Sequence, residues 1–195
     1  MKFLPRWVSC LSVMSITGLL AGCTTVIEPP KKLFADYAPQ KKIDLTVGVR
    51  ITEDLKKTKW EKEQWNMEIP IGTWVAPNAK GLAERVFARV VDIDGKAPIV
   101  GLGVDAVLTP RVVFINRTLG ATSVGDSHVA VKVEWDLRTP SGDPIWIETT
   151  SGEGVGSSGW TSPETILERA LNQLQKNSQI AVNSSQSIAR FAAKK

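Results

Sequence analysis

Only two cysteines, one histidine and one tyrosine occur in the 195 residues. Both cysteines, Cys10 and Cys23, stand near the start, so the remainder has no thiol for a disulfide, a nucleophilic thiolate or a cysteine-bound metal. The lone His128 removes most zinc and triad chemistry in the same way. No stretch beyond the N-terminal one approaches the ~18 consecutive apolar residues of a membrane span. An excess of one charge is also missing: 24 Lys and Arg stand against 20 Asp and Glu, a formal balance of +4.

What is present begins at the N-terminus. Residues 1–22 carry Lys2 and Arg6, an apolar run broken by small residues, and then Leu20, Ala21 and Gly22. A short basic head, a short apolar stretch and a small-residue cleavage site mark a secretory signal. Leu20-Ala21-Gly22-Cys23 resembles a bacterial lipobox, the motif that defines the lipoprotein class. That resemblance implies cleavage before Cys23, a diacylglyceryl thioether on its sulfur and an acylated amine. The chemistry needs cysteine there because a thiolate is the good nucleophile available at neutral pH. Three acyl chains exceed the two signals that stable membrane attachment requires. Loss of residues 1–22 leaves 173 residues and takes the charge from +4 to +2. That balance gives no reason to invoke nucleic acid.

Residues 23–42 read as the lipidated cysteine and an extended tether. Pro29, Pro30 and Pro39 disfavour helix, and residues 24–42 reach at most ~60 Å. Leu33, Phe34 and Tyr37 are its apolar exceptions. Lys31, Lys32, Lys41 and Lys42 serve either anionic headgroups or plain solubility.

A single domain over 43–193 follows, large enough to bury a core. Ile43 to Thr52 alternates strictly and predicts a strand; residues 53–63 predict a charged crossing; Trp65 to Val75 predicts a second extended stretch weakened by Pro70. Leu82, Val86 and Val90 predict a helix over about 78–91, ended by an Asp92–Gly95 turn. A strand over 104–115 leads to the clearest one, 128–138, with Val129, Val131, Val133, Trp135 and Leu137 on one face. The Thr139–Pro144 turn returns into Ile145, Ile147 and Thr149, with Trp146 and Glu148 opposite, completing an antiparallel meander. A Gly/Ser loop over 152–159 precedes a final helix with Ser162 as N-cap, Pro163 at its first position and a break near Asn183. The class is α+β: a two-layer sandwich of one mixed, mostly antiparallel sheet of about five strands, with two helices on one face.

Catalytic or ligand motifs are weak. Gly154-Val155-Gly156-Ser157-Ser158-Gly159 fits the dinucleotide pattern, but Trp160, Thr161 and Ser162 separate it from the helix and no second strand follows. A flexible connection explains it better. Asp126, Ser127 and His128 are neighbours on an extended chain and point to opposite faces. Only Asp105 or Asp136, brought close by the fold, would give His128 a carboxylate. Asp92-Ile93-Asp94-Gly95 has its glycine too early for a calcium loop. Catalytic residues, metal ligands and cofactors are therefore expected to be none.

Six tryptophans follow residue 23. Trp135 reads as core. Trp146 has the parity of Glu148, and Trp60, Trp65 and Trp160 sit in polar or Gly/Ser surroundings. Either they are buried beneath the tether or a helix end, or they are exposed partner-binding anchors.

In layout the chain resembles small Gram-negative envelope lipoproteins of the YajG, LptE and transport-auxiliary types. The lipobox, the strand Asp44-Leu45-Thr46-Val47-Gly48-Val49, and the meander with Trp135 and the Pro140–Asp143 turn carry that resemblance. It implies an outer-membrane location on the periplasmic face, because the residue after the lipid cysteine is Thr24 and not Asp. It also implies action by binding an envelope protein partner, without catalysis. The alternative is a lipid or glycan carrier with a tryptophan-lined groove.

Overall fold

A computed structural model of the chain describes residues 25–27, 41–62, 67–95, 99, 101–118, 125–157 and 161–195. In chain order the elements are β1 (Thr25–Val26), β2 (Ile43–Ile51), α1 (Glu53–Lys57), β3 (Trp60–Lys62), β4 (Met67–Ile69), α2 (Ile71–Val86), β5 (Phe87–Asp94), β6 (Ala106–Thr118), β7 (Asp126–Arg138), β8 (Pro144–Ser157), α3 (Pro163–Ser184) and α4 (Gln186–Ala193). The architecture is α+β. A mixed sheet of order β5-β2-β6-β7-β8 forms the main layer, and β1-β4-β3 forms a second, smaller sheet.

The alternation in β2 and β7 sets the main layer. Leu45, Val47 and Val49 of β2 are buried, as are Val129, Val131, Val133, Trp135 and Leu137 of β7. β2 pairs parallel with β5 and β6, while β6, β7 and β8 form the expected antiparallel meander. Helices α2 and α3 supply the opposing apolar surface through Trp74, Leu82, Leu167, Leu171 and Leu174, none of them exposed. Each such side chain contributes roughly 1.5–3 kcal/mol by leaving water. Inside this layer Trp135 Nε1 donates to Thr150 Oγ1 (2.7 Å), whose hydroxyl meets Ser178 Oγ (2.6 Å). Ser178 in turn bonds Leu174 O (2.7 Å), so this polar chain ties β7, β8 and α3 together.

The described residues hold four helices, not two. The stretch 53–63 is no simple crossing: Thr52 Oγ1 accepts from Leu55 N (3.2 Å) and caps α1, and β3 follows. Helix α2 starts at Ile71 and contains Pro77. The proline removes one helical hydrogen bond at a cost of about 3 kcal/mol. Burial of Ile71, Trp74, Val75, Ala79, Leu82, Ala83 and Val86 at helical spacing outweighs it. Gln175 of α3 braces the turn beyond; oriented by its partners, its amide accepts from Leu82 N (3.0 Å) and donates to Asn78 O (3.2 Å). The predicted end of that helix, 87–91, is strand β5, where Val90, Val91 and Ile93 suit a pleated surface. Asp92 and Asp94 belong to the same strand, and the turn is at Gly95.

The final helix matches its signals. Thr165 N donates to Ser162 Oγ (3.2 Å), and Ser185 both ends α3 and caps α4 through Ile188 N (3.3 Å). Asp105 fixes the far end of the chain. It accepts from Thr46 N (2.7 Å) and forms an ion pair with Lys195. Burial alone raises its carboxyl, but Lys195 and the Thr46 amide outweigh this and hold it below the usual carboxylate value. Within the stretch expected as tether, Thr25 and Val26 pair with β4 and Ile27 is buried in the main core.

Candidate functional site

The glycines that mimic a phosphate loop lie in β8, not in a loop. Gly152, Gly154 and Gly156 share the inward face at period two, and helix α3 rests directly on their backbone. A Cβ on Gly154 would stand 1.9 Å from Ile166 O, and one on Gly152 would stand 2.0 Å from Ala170 O. Their role is close approach of helix to sheet. Strand β8 continues through Ser157, and Gly159 and Trp160 lie outside the described residues.

His128 is exposed at the start of β7, opposite Thr118 and Val155. Neither expected carboxylate serves it. Asp105 is bound to Thr46 and Lys195, and Asp136 accepts from Arg138 Nε (2.8 Å). Ser127 is buried between the exposed Asp126 and His128, as alternation requires. Among the described residues no three His, Cys, Asp or Glu side chains come together as metal ligands.

Of the expected partner-binding tryptophans, Trp146 is buried at 7% exposure and its Nε1 donates to Glu148 Oε2 (3.0 Å). The parity reading was right but the face was reversed: Ile147, at 48% exposure, is on the open side. Trp60 is half-buried and packs against the main core. Trp65, Trp160 and the lipobox residues Leu20, Ala21, Gly22 and Cys23 lie outside the described residues. A polar cleft of about 280 Å³ between β8 and α3 is lined by Ser151, Gly152, Glu153, Gln173 and Asn177 and contains no tryptophan. Its amides are already engaged, Asn177 Nδ2 with Ser151 O (2.8 Å) and Gln173 Nε2 with Asn177 Oδ1 (3.1 Å).

The feature that sequence reasoning missed is on the open face of β6–β8. A bulge between Val112 and Phe114 inserts Val113 into β6, leaving Val113 and Phe114 exposed side by side at 42% and 43%. Bulges of this kind re-aim side chains. Lys132 on β7 stands 5.4 Å from the centre of the Phe114 ring, a cation–π distance. One step along, Arg111 Nη2 meets Glu134 Oε1 (2.8 Å). The result is an apolar pair framed by charges on a sheet face that also exposes Ile147 and Val155. Pro110 and the broken alternation at 112–114 are the only sequence signals for it.

No family model matches the chain, and no curated protein matches it. Solved structures do. Protein XCC0632 from Xanthomonas campestris, of family DUF330, is similar over 88% of this chain and 100% of its own, with 13% identity and a TM-score of 0.50. That likeness shows a shared fold. Weaker similarity extends to lipoprotein GNA1162 from Neisseria meningitidis (16% identity, 72% of this chain and 99% of that one, TM-score 0.41). It extends also to the PelC dodecamer from Paraburkholderia phytofirmans (16% identity, 71% and 91%, TM-score 0.41).

Proposed function

We propose that the protein is a lipoprotein of the outer membrane, facing the periplasm, that binds a protein partner of envelope assembly or transport and does no catalysis. The observation that carries the reading is Leu20-Ala21-Gly22-Cys23 behind a basic, apolar head, followed by Thr24. The domain suits a binding role: its buried polar groups tie elements together, as Trp135, Thr150 and Ser178 do, and Asp105 and Asp136 are engaged away from His128. The Val113–Phe114 pair is one exposed apolar feature to which such a partner would bind. The carrier alternative loses Trp146, which the core occupies.

Two experiments test this. Cys23→Ser should move the protein from the membrane to the soluble fraction; retention after a salt wash would overturn the lipid anchor. Affinity capture from crosslinked envelopes should return one stoichiometric protein, and Phe114→Ala should weaken that capture about tenfold, the scale of one good interface residue. Lipid or glycan recovered with no protein would overturn the partner-binding reading.

A further inference from the structure

The two edges of the main sheet are finished differently. β8 stands at one edge and β5 at the other. Along β8 the carbonyls that face away from β7 are met from within the chain. Asn177 Nδ2 donates to Ser151 O (2.8 Å), Arg169 Nη1 to Val155 O (2.5 Å) and Thr161 N to Ser157 O (3.2 Å). An edge covered in this way is closed to a further strand. β5 has no such cover. Thr46 of β2 turns both backbone groups toward the start of β6: its N–H donates to Asp105 Oδ2 (2.7 Å) and its C=O accepts from Asp105 N (2.8 Å). Alternation then directs Val47 and Val49 toward β5. Val47 is opposite Val90 in a parallel register, so the slanted bonds of that ladder reach Arg89 and Val91. The N–H and C=O groups of Ala88, Val90 and Asp92 are left on the outer edge. Among the described residues no hydrogen bond engages them.

We propose that β5 is an acceptor edge for an extended segment of a partner protein, with an acidic residue opposite Arg89 and an apolar residue opposite Val91. Strand addition of this kind takes its affinity from main-chain bonds and its specificity from alternate side chains. Arg89 and Val91 have the same parity and share one face of β5, so the two matching residues of the segment are two positions apart. Both are exposed, Val91 at 38%. Asp92 is neutralised by Lys80 (2.6 Å), whereas Arg89 forms no ion pair among the described residues. The neighbouring Asp105 is already committed to Thr46 and Lys195. The unmatched charge on the edge is therefore positive. A second copy of β5 does not supply the complement. Antiparallel self-pairing centred on Val90 sets Arg89 diagonally beside its own copy, and pairing centred on Val91 does the same to Asp92. The surface is separated from the Val113–Phe114 pair by β2 and does not depend on the anchor at Cys23.

The test is amide hydrogen exchange by NMR on the full chain in micelles, with two capped probe peptides, TTVTETT and TTVTKTT, which place valine opposite Val91 and the charge opposite Arg89 in antiparallel pairing. In the free protein the Arg89 and Val91 amides should be protected and those of Ala88, Val90 and Asp92 should not. The glutamate peptide at ten times its Kd should slow exchange at the latter three about tenfold. The lysine peptide should bind about fivefold more weakly, and Arg89→Glu should invert that preference. Ala88→Pro removes one outward N–H and fits the backbone, because Phe87 before it is extended (φ −109°, ψ 151°). It should weaken the glutamate peptide while Arg89 and Val91 stay protected. No protection of the three amides by either peptide at millimolar concentration would overturn the acceptor edge. Equal binding of the two peptides would overturn the acidic partner. Protection of the three amides in free protein of dimeric mass would assign the edge to a second copy instead.

Discussion

Replacing Gly154 by alanine asks whether α3 really rests on the backbone of β8. The new methyl would stand 1.9 Å from Ile166 O and 2.8 Å from Ala170 N, both backbone atoms that no rotamer change can move. Relief to ordinary contact requires α3 to lift by roughly 1.5 Å at that point. Gaps of about 0.5–1 Å already forfeit a quarter to a half of a dispersion contact, and Ile166, Leu167, Leu171 and Leu174 of α3 are all buried. With each side chain worth roughly 1.5–3 kcal/mol, the loss comes to about 3 kcal/mol, within the usual range for overpacking. Less backbone freedom in the unfolded chain offsets about 0.5 kcal/mol of this. For a domain of this size the melting temperature should fall by about 5–10 °C. Glu153→Ala, on the outward face of the same strand, should change it by less than about 2 °C. A Gly154→Ala protein melting within 1 °C of its parent would refute close helix–sheet contact. A nucleotide that raised the melting temperature of the parent but not of the variant would restore the phosphate-loop reading.

Two further perturbations probe the polar links. Thr150→Val keeps the shape but removes the acceptor of Trp135 Nε1, and it should cost about 1–3 kcal/mol by denaturant titration; an unchanged midpoint would mean that the indole finds another partner. Asp105 has a folded-state carboxyl held below its ordinary value of 3.8, so its contribution is complete above that value. It is lost as pH falls through the still lower folded value, and the difference in acid stability between parent and Asp105→Asn should vanish there. A constant difference down to the acid transition would exclude the Lys195 and Thr46 contacts as its source.

Residues with strong local signals were read correctly from the sequence. Strand β7 alternates five buried apolar residues with exposed or half-buried ones, and Ser162-Pro163 marks the start of α3 because cap and first turn need those residue types. The stretch Trp65 to Val75 reads as extended in the sequence, whereas Ile71 to Val75 opens α2, because the burial that favours the helix depends on tertiary neighbours. In β8 the period-two glycines were legible as a strand only in retrospect. Glycine has no hydropathy to alternate, and its meaning here depends on a helix many residues away. Trp146 failed for a related reason: parity fixes which residues share a face, but Ile147 outvoted it in choosing the inner one. The Val113 bulge and the docking of Ile27 depend on register between strands, which a single sequence does not encode locally.

The deciding measurement is the intact mass of the protein extracted from membranes, with fragmentation of its N-terminal peptide. A chain beginning at Cys23, with a diacylglyceryl group on the sulfur and an acyl group on the amine, is the predicted result. A chain with an unmodified Cys23, or one that still carries residues 1–22, would contradict the lipid anchor.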